Sequence, residues 1–147
     1  METVTTHGVL FLVSMLAATV LPGSSESALL ALITREPRQA ITLTAAATVG
    51  NTLGAIINWY FGRWLLHYAD RRWSPATPRQ LQKASGLFRR YGVWSLLFSW
   101  VPIVGDPLTV IAGVLKVPFV PFAILTALGK LARYLLLIGA WRALVGF

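Results

Sequence analysis

The chain has 147 residues, of which 56% are hydrophobic and only 12% charged, and its mean hydropathy is +0.66. A soluble domain carries about 25% charged residues, so this composition excludes a water-soluble globule and indicates an all-α integral membrane protein forming one membrane domain over 1–147. The net charge of +8 would favour nucleic acid in a soluble chain. Here, however, Arg63, Arg71, Arg72, Arg79, Lys83, Arg89 and Arg90 fall within 28 residues, opposed only by Asp70. In a membrane protein that clustering is the positive-inside signal; it places the 63–90 loop in the cytoplasm, and no nucleic-acid partner is expected. The lack of cysteine excludes disulfides and thiolate metal sites.

The N-terminal Met1–His7 stretch has no basic residue before the first apolar run, so that run reads as mature structure rather than a cleavable signal. It extends from about Gly8 to Leu21 and stops at Pro22-Gly23. As a helix it rises about 21 Å, short of the ~30 Å hydrocarbon core. Ser24 or Ser25 is expected to cap a second short helix, with Glu26 in its favourable first turn, ending near Arg35-Glu36-Pro37-Arg38. Two sub-length helices about a Pro-Gly break form a re-entrant hairpin, which is tolerated where protein or water covers the open backbone.

From about Gln39 to Phe61 the sequence is uncharged and long enough to span. Gly50 and Gly54 give it a small-residue face for close helix contact. Thr44, Asn51 and Asn58, spaced by seven, make a polar stripe directed at the protein interior. Ser74–Pro78 reads as a turn into a helix capped by Thr77 with Pro78 at its first position. That helix, to Tyr91, carries Leu81, Ala84 and Phe88 on one face and Arg79, Lys83, Arg89 and Arg90 around the rest. It is expected to lie at the cytoplasmic interface against anionic lipid.

The second half repeats the order of the first. An apolar run over Val93–Val101 breaks at Pro102, a short helix follows over Pro107–Leu115, Lys116 closes the hairpin, and a long apolar segment covers about Pro118–Trp141. Pro22-Gly23-Ser24-Ser25-Glu26 and Pro102-Ile103-Val104-Gly105-Asp106 then correspond, each with a breaker four residues before a carboxylate. A hairpin plus one crossing inverts the second unit relative to the first. The expected fold is therefore two inverted repeats, about 5–66 and 92–146, joined by the basic loop and amphipathic helix over 67–91.

Four blocks run in a recognisable order: LPGSSESALLAL at 21–32, GNTLGAIINWYFGR at 50–63, SWVPIVGDPLTVIAGVLKVPF at 99–119 and GKLARY at 129–134. Together they resemble the DedA family of bacterial membrane proteins, which share the VTT (SNARE-associated) domain, and within it the small YqaA-like subgroup. The resemblance implies facing re-entrant hairpins, a bacterial inner-membrane location and a role in moving lipids such as undecaprenyl phosphate, linked to the proton gradient. It matches Glu26 to the embedded glutamate of the family's first motif. Larger members carry arginines three residues before and after the second motif's proline. Here those positions are Ser99 and Gly105, so a phosphate-binding role for those arginines does not transfer.

Carboxylates at membrane depth face protein interiors or water-filled cavities, which makes Glu26 and Asp106 the first candidates for a substrate or proton site. Lys130 and Arg133, three apart on one helix face, could hold a lipid phosphate or neutralise those acids. Asn51 and Asn58 could line the same cavity or bond neighbouring helices. The competing reading makes every one of these a structural contact pinning a hairpin. Most tryptophans read as interfacial or packing residues, and His7 and His67 have no partner motif. No cofactor and no enzymatic chemistry are expected: metal-ligand clusters, phosphate loops and a histidine beside Ser24 or Ser25 are missing. A lipid transporter or scramblase, plausibly a homodimer because one chain is small for a lipid path, leads over a non-transporting structural or assembly protein and an ion or proton channel.

Overall fold

The computed structural model describes residues 2–18, 23–64, 77–101 and 103–145. The breakers Pro22 and Pro102, the turn residues 74–76, Arg71, Arg72, His67 and Trp73 lie outside these. Every element among the described residues is helical: α1 (Glu2–Ala17), α2 (Ser24–Arg35), a 3₁₀ turn (Pro37–Gln39), α3 (Ala40–Trp64), α4 (Pro78–Tyr91), a 3₁₀ helix (Gly92–Trp100), α5 (Gly105–Val114) and α6 (Phe119–Val145).

Among the described residues, two helices are long and apolar enough to cross a membrane, Pro37–Trp64 and Phe119–Val145. Only 44% and 28% of their most apolar windows are buried inside the protein, unlike the core helix of a soluble globule. Ile41, Val49 and Leu53 on α3 and Ile124, Leu128, Leu135 and Leu136 on α6 point outward, which suits a lipid solvent.

At the centre lies α3, against which α1, α2, α5 and α6 all pack. The small-residue face works as the spacing implies. A Cβ on Gly50 or Gly54 would already overlap backbone of Phe11 or Met15 on α1 without its own side chain growing further, so the helices meet nearly backbone to backbone. A second close crossing was not anticipated: Gly62 of α3 sits on the Val110 carbonyl of α5, and Gly113 of α5 sits on the Trp59 carbonyl of α3.

Thr77 caps α4 in a full capping box, accepting from the Gln80 amide while the Gln80 side chain accepts from the Thr77 amide at 2.9 Å. Arg79, Lys83, Arg89 and Arg90 of that helix are exposed, while Ala84 and Phe88 are buried in a cluster with Trp59, Leu96, Leu108 and Phe122. The cap of α2 is not a serine side chain. Gly23, at φ 95°, holds the N-cap position without a side-chain bond, and Ser25 turns into the protein instead. The helix also starts earlier than expected in α1, at Glu2.

The Val93–Val101 run forms a 3₁₀ helix rather than an α-helix. At about 2.0 Å rise per residue against 1.5 Å, the tighter winding makes a short run reach further. Trp59 is a packing residue and not a belt residue. Buried, it stacks on Phe122 at 5.6 Å between centroids and donates its indole N–H to the Val117 carbonyl at 3.2 Å.

Candidate functional site

Both acids of the two matching motifs lie in the first turns of short helices, Glu26 in α2 and Asp106 in α5. There the unpaired amides and the helix dipole favour a negative charge. Both then reach to one element, α6. Lys130 donates from Nζ to Asp106 Oδ1 at 2.7 Å, and Arg133 pairs through Nη2 with Glu26 Oε1. Lys130 stands near the middle of α6, as Asn51 stands near the middle of α3.

Burial differs between the pairs. The Lys130 side chain is 1% exposed and that of Asp106 29%, whereas Arg133 and Glu26 are 17% and 13% exposed. An ammonium as enclosed as Lys130 requires its carboxylate, since an isolated buried charge costs several kcal/mol. Asp106 keeps an open side. Glu26 has a different reserve: its second oxygen, Oε2, is buried without a hydrogen-bond partner.

Next to the Glu26–Arg133 pair is a hub that the sequence did not single out. Tyr134, fully buried, accepts from Asn51 Nδ2 at 2.8 Å and donates to Ser25 Oγ at 3.2 Å. This one phenol ties α2, α3 and α6 together. The Ser14 hydroxyl, Asn51 Oδ1 and Thr126 Oγ1 are likewise buried with no protein partner. Buried polar atoms are nearly always bonded, so unpartnered oxygens near paired charges mark this level of the protein as polar. A tyrosine one residue after Arg133 and four after Lys130 was the available signal, masked by the apolar residues around it.

The two asparagines part company. Asn51 joins the hub, whereas Asn58 donates to the Ala18 carbonyl at 2.9 Å and so satisfies the open C-terminal end of α1. At the second break, Ser99 and Gly105 are both buried, and a Cβ on Gly105 would overlap the Ser99 carbonyl. This packing leaves an arginine at position 105 no room. His7 bonds Thr42 Oγ1 at 2.9 Å, away from the charges. Among the described residues no cluster of metal-ligating side chains occurs.

Comparison with known proteins agrees with the motif order. The VTT domain family model matches residues 8–142. The chain is 38% identical over 125 residues to the inner membrane protein YqaA of Escherichia coli, covering 85% of this chain and 83% of that one. It is 37% identical over 136 residues to an uncharacterized protein of Haemophilus influenzae, covering 88% and 83%. A more distant relative, undecaprenyl phosphate transporter A of Staphylococcus aureus, is 28% identical over 97 residues, covering 60% of this chain and 48% of its own length. No solved structure matches. The matched model spans nearly the whole chain, the motifs lie in family order, and the apolar helices fit a bilayer: this is an inner-membrane protein belonging to the VTT-domain, or DedA, family.

Proposed function

We propose that the chain moves a phosphate-bearing lipid across the membrane, with the α6 cations as the phosphate site and the two carboxylates as their exchangeable counter-ions. The observation that carries this is the convergence of Glu26 and Asp106, from separate short helices, on Arg133 and Lys130 of a single helix face. Two adjacent cations at the level where the long helices are half crossed make a place for a dianionic head group, for which a guanidinium fork and an ammonium are suited. The transporter name borne by the Staphylococcus aureus relative supports a polyprenyl phosphate as the cargo, with a phospholipid as the alternative.

Protonation supplies the exchange. When Glu26 takes a proton it loses its claim on Arg133, which is then free to bind phosphate; loss of the proton restores the pair and expels the anion. Glu26 Oε2, unbonded within the protein, is the atom available to receive that proton.

The architecture assumed is two inverted repeats, about 5–66 and 92–146, each a re-entrant hairpin followed by a long helix. Their packing supports it: α1 lies along α3 as the 3₁₀ helix lies along α6, and α5 contacts α3 as α2 contacts α6. With the 63–90 loop cytoplasmic, both termini face the opposite side.

The test is transport of fluorescent phospholipid and of undecaprenyl phosphate in proteoliposomes. Wild-type protein is expected to move lipid, and the Glu26→Gln/Asp106→Asn variant to move it at least tenfold more slowly. Equal rates would overturn the mechanism. A second reading, a non-transporting structural protein, is favoured by one observation: each cation is already neutralised by its own carboxylate. It expects the same variant to lose thermal stability while wild-type protein shows no lipid movement at all.

A further inference from the structure

The seam between α3 and α6 is packed differently at its two ends. At one end Trp59 of α3 fills it, stacked on Phe122 and edge-on to Phe119 at 5.8 Å. At the other end the first two turns of α3 offer small side chains, Ala40, Thr44 and Ala45, against Leu135, Ile138 and Arg142 near the end of α6. A groove of about 300 Å³ remains there. Its wall makes no polar demand, because the Thr44 hydroxyl is already donated to the Ala40 carbonyl at 2.6 Å. It runs for about three helical turns, or roughly 16 Å, along the outward surface beside the exposed Ile41 and Leu135.

Charge marks the mouth of this groove. Arg142, in the last turn of α6, is the charged residue that lines it. An apolar slot with a cationic rim, on a face directed at the bilayer, has the chemistry of a lipid anion: acyl chain between the helices, phosphate at the arginine. We infer that this groove holds one anionic phospholipid, at a site separate from the Lys130/Arg133 level and independent of whether the protein transports.

A second copy of the chain suits the groove less well. A two-fold contact through this face carries the Arg142 of both copies into one interface, adding positive charge with no acid among the groove's lining residues to offset it. A zwitterionic lipid fills the slot but leaves the excess positive charge of the rim unmatched.

Native mass spectrometry of the full-length protein, released from micelles doped with dioleoyl phosphatidylglycerol or dioleoyl phosphatidylcholine, tests this. One phosphatidylglycerol is expected to be retained in preference to phosphatidylcholine. Arg142→Gln should weaken its retention about fivefold, the effect of one arginine near a lipid head group, and abolish the preference. Ala45→Phe, at an exposed position, should fill the slot and reduce retention of both lipids while the melting temperature stays at the wild-type value. Lys116→Gln, an exposed cation just before α6 at the Trp59 end of the seam, should leave retention unchanged. The inference is overturned if all variants retain phosphatidylglycerol equally, if Lys116→Gln loses it as much as Arg142→Gln, or if Ala45→Phe instead dissociates a lipid-free dimer.

Discussion

Asp106 and Lys130 show how much one carboxylate can control in this protein. With Lys130 almost wholly enclosed, Asp106→Asn leaves an ammonium without its counter-charge, a change that costs about 3 kcal/mol where the survivor is buried. A lowered melting temperature in detergent is the expected readout. Asp106→Asn/Lys130→Met should recover most of the loss, because removing both charges together removes the penalty. A double variant no more stable than the single one would mean that Lys130 has another partner. The sequence exposed these two charges by their placement in apolar surroundings, but not their pairing. Lys130 could have met either acid, and three-residue spacing from Arg133 left the assignment open. Only where α2 and α5 set their acids along α6 resolves it.

Among the elements, α3 carries the greatest packing load, and its glycines record where neighbours come closest. The Gly50/Gly54 face was legible because small residues four apart in an uncharged span have a known use. Gly62 and Gly113 were not legible. Each is a lone glycine near a helix end, and their shared crossing of α3 over α5 is a tertiary fact. Gly62→Val should push α5 away from α3 by driving a branched side chain into the Val110 carbonyl, at a cost of about 3 kcal/mol. Circular dichroism melting in detergent would register it, and an unaltered melt would show that the crossing is looser than described here. The α4 cap was plain because Thr-Pro-Arg-Gln holds its own partners within one turn, whereas the 3₁₀ winding of Gly92–Trp100 carried no distinguishing pattern. Its residues would suit an α-helix equally.

For the whole molecule, the order of elements was readable well before their contacts. Breaks at 22 and 102, two long apolar segments and one basic amphipathic helix define the sequence of parts, because membrane solvation imposes length and polarity rules that act locally. The convergence of the charges on α6, the Tyr134 hub and the open end of the α3/α6 seam depend on how the parts are set against each other, and local rules do not reach that far. The role proposed for the ion pairs is lipid movement, beyond holding the short helices in place. Glu26→Gln/Arg133→Gln separates the two roles, since it removes both charges at once, keeps a hydrogen-bonding group at each position and leaves no buried ion unpaired. Melting temperature and proteoliposome transport of undecaprenyl phosphate, measured on one preparation, give the answer. The expected result is a melting temperature within a few degrees of wild type and transport at least tenfold slower. Near-wild-type stability with undiminished transport would contradict the claim.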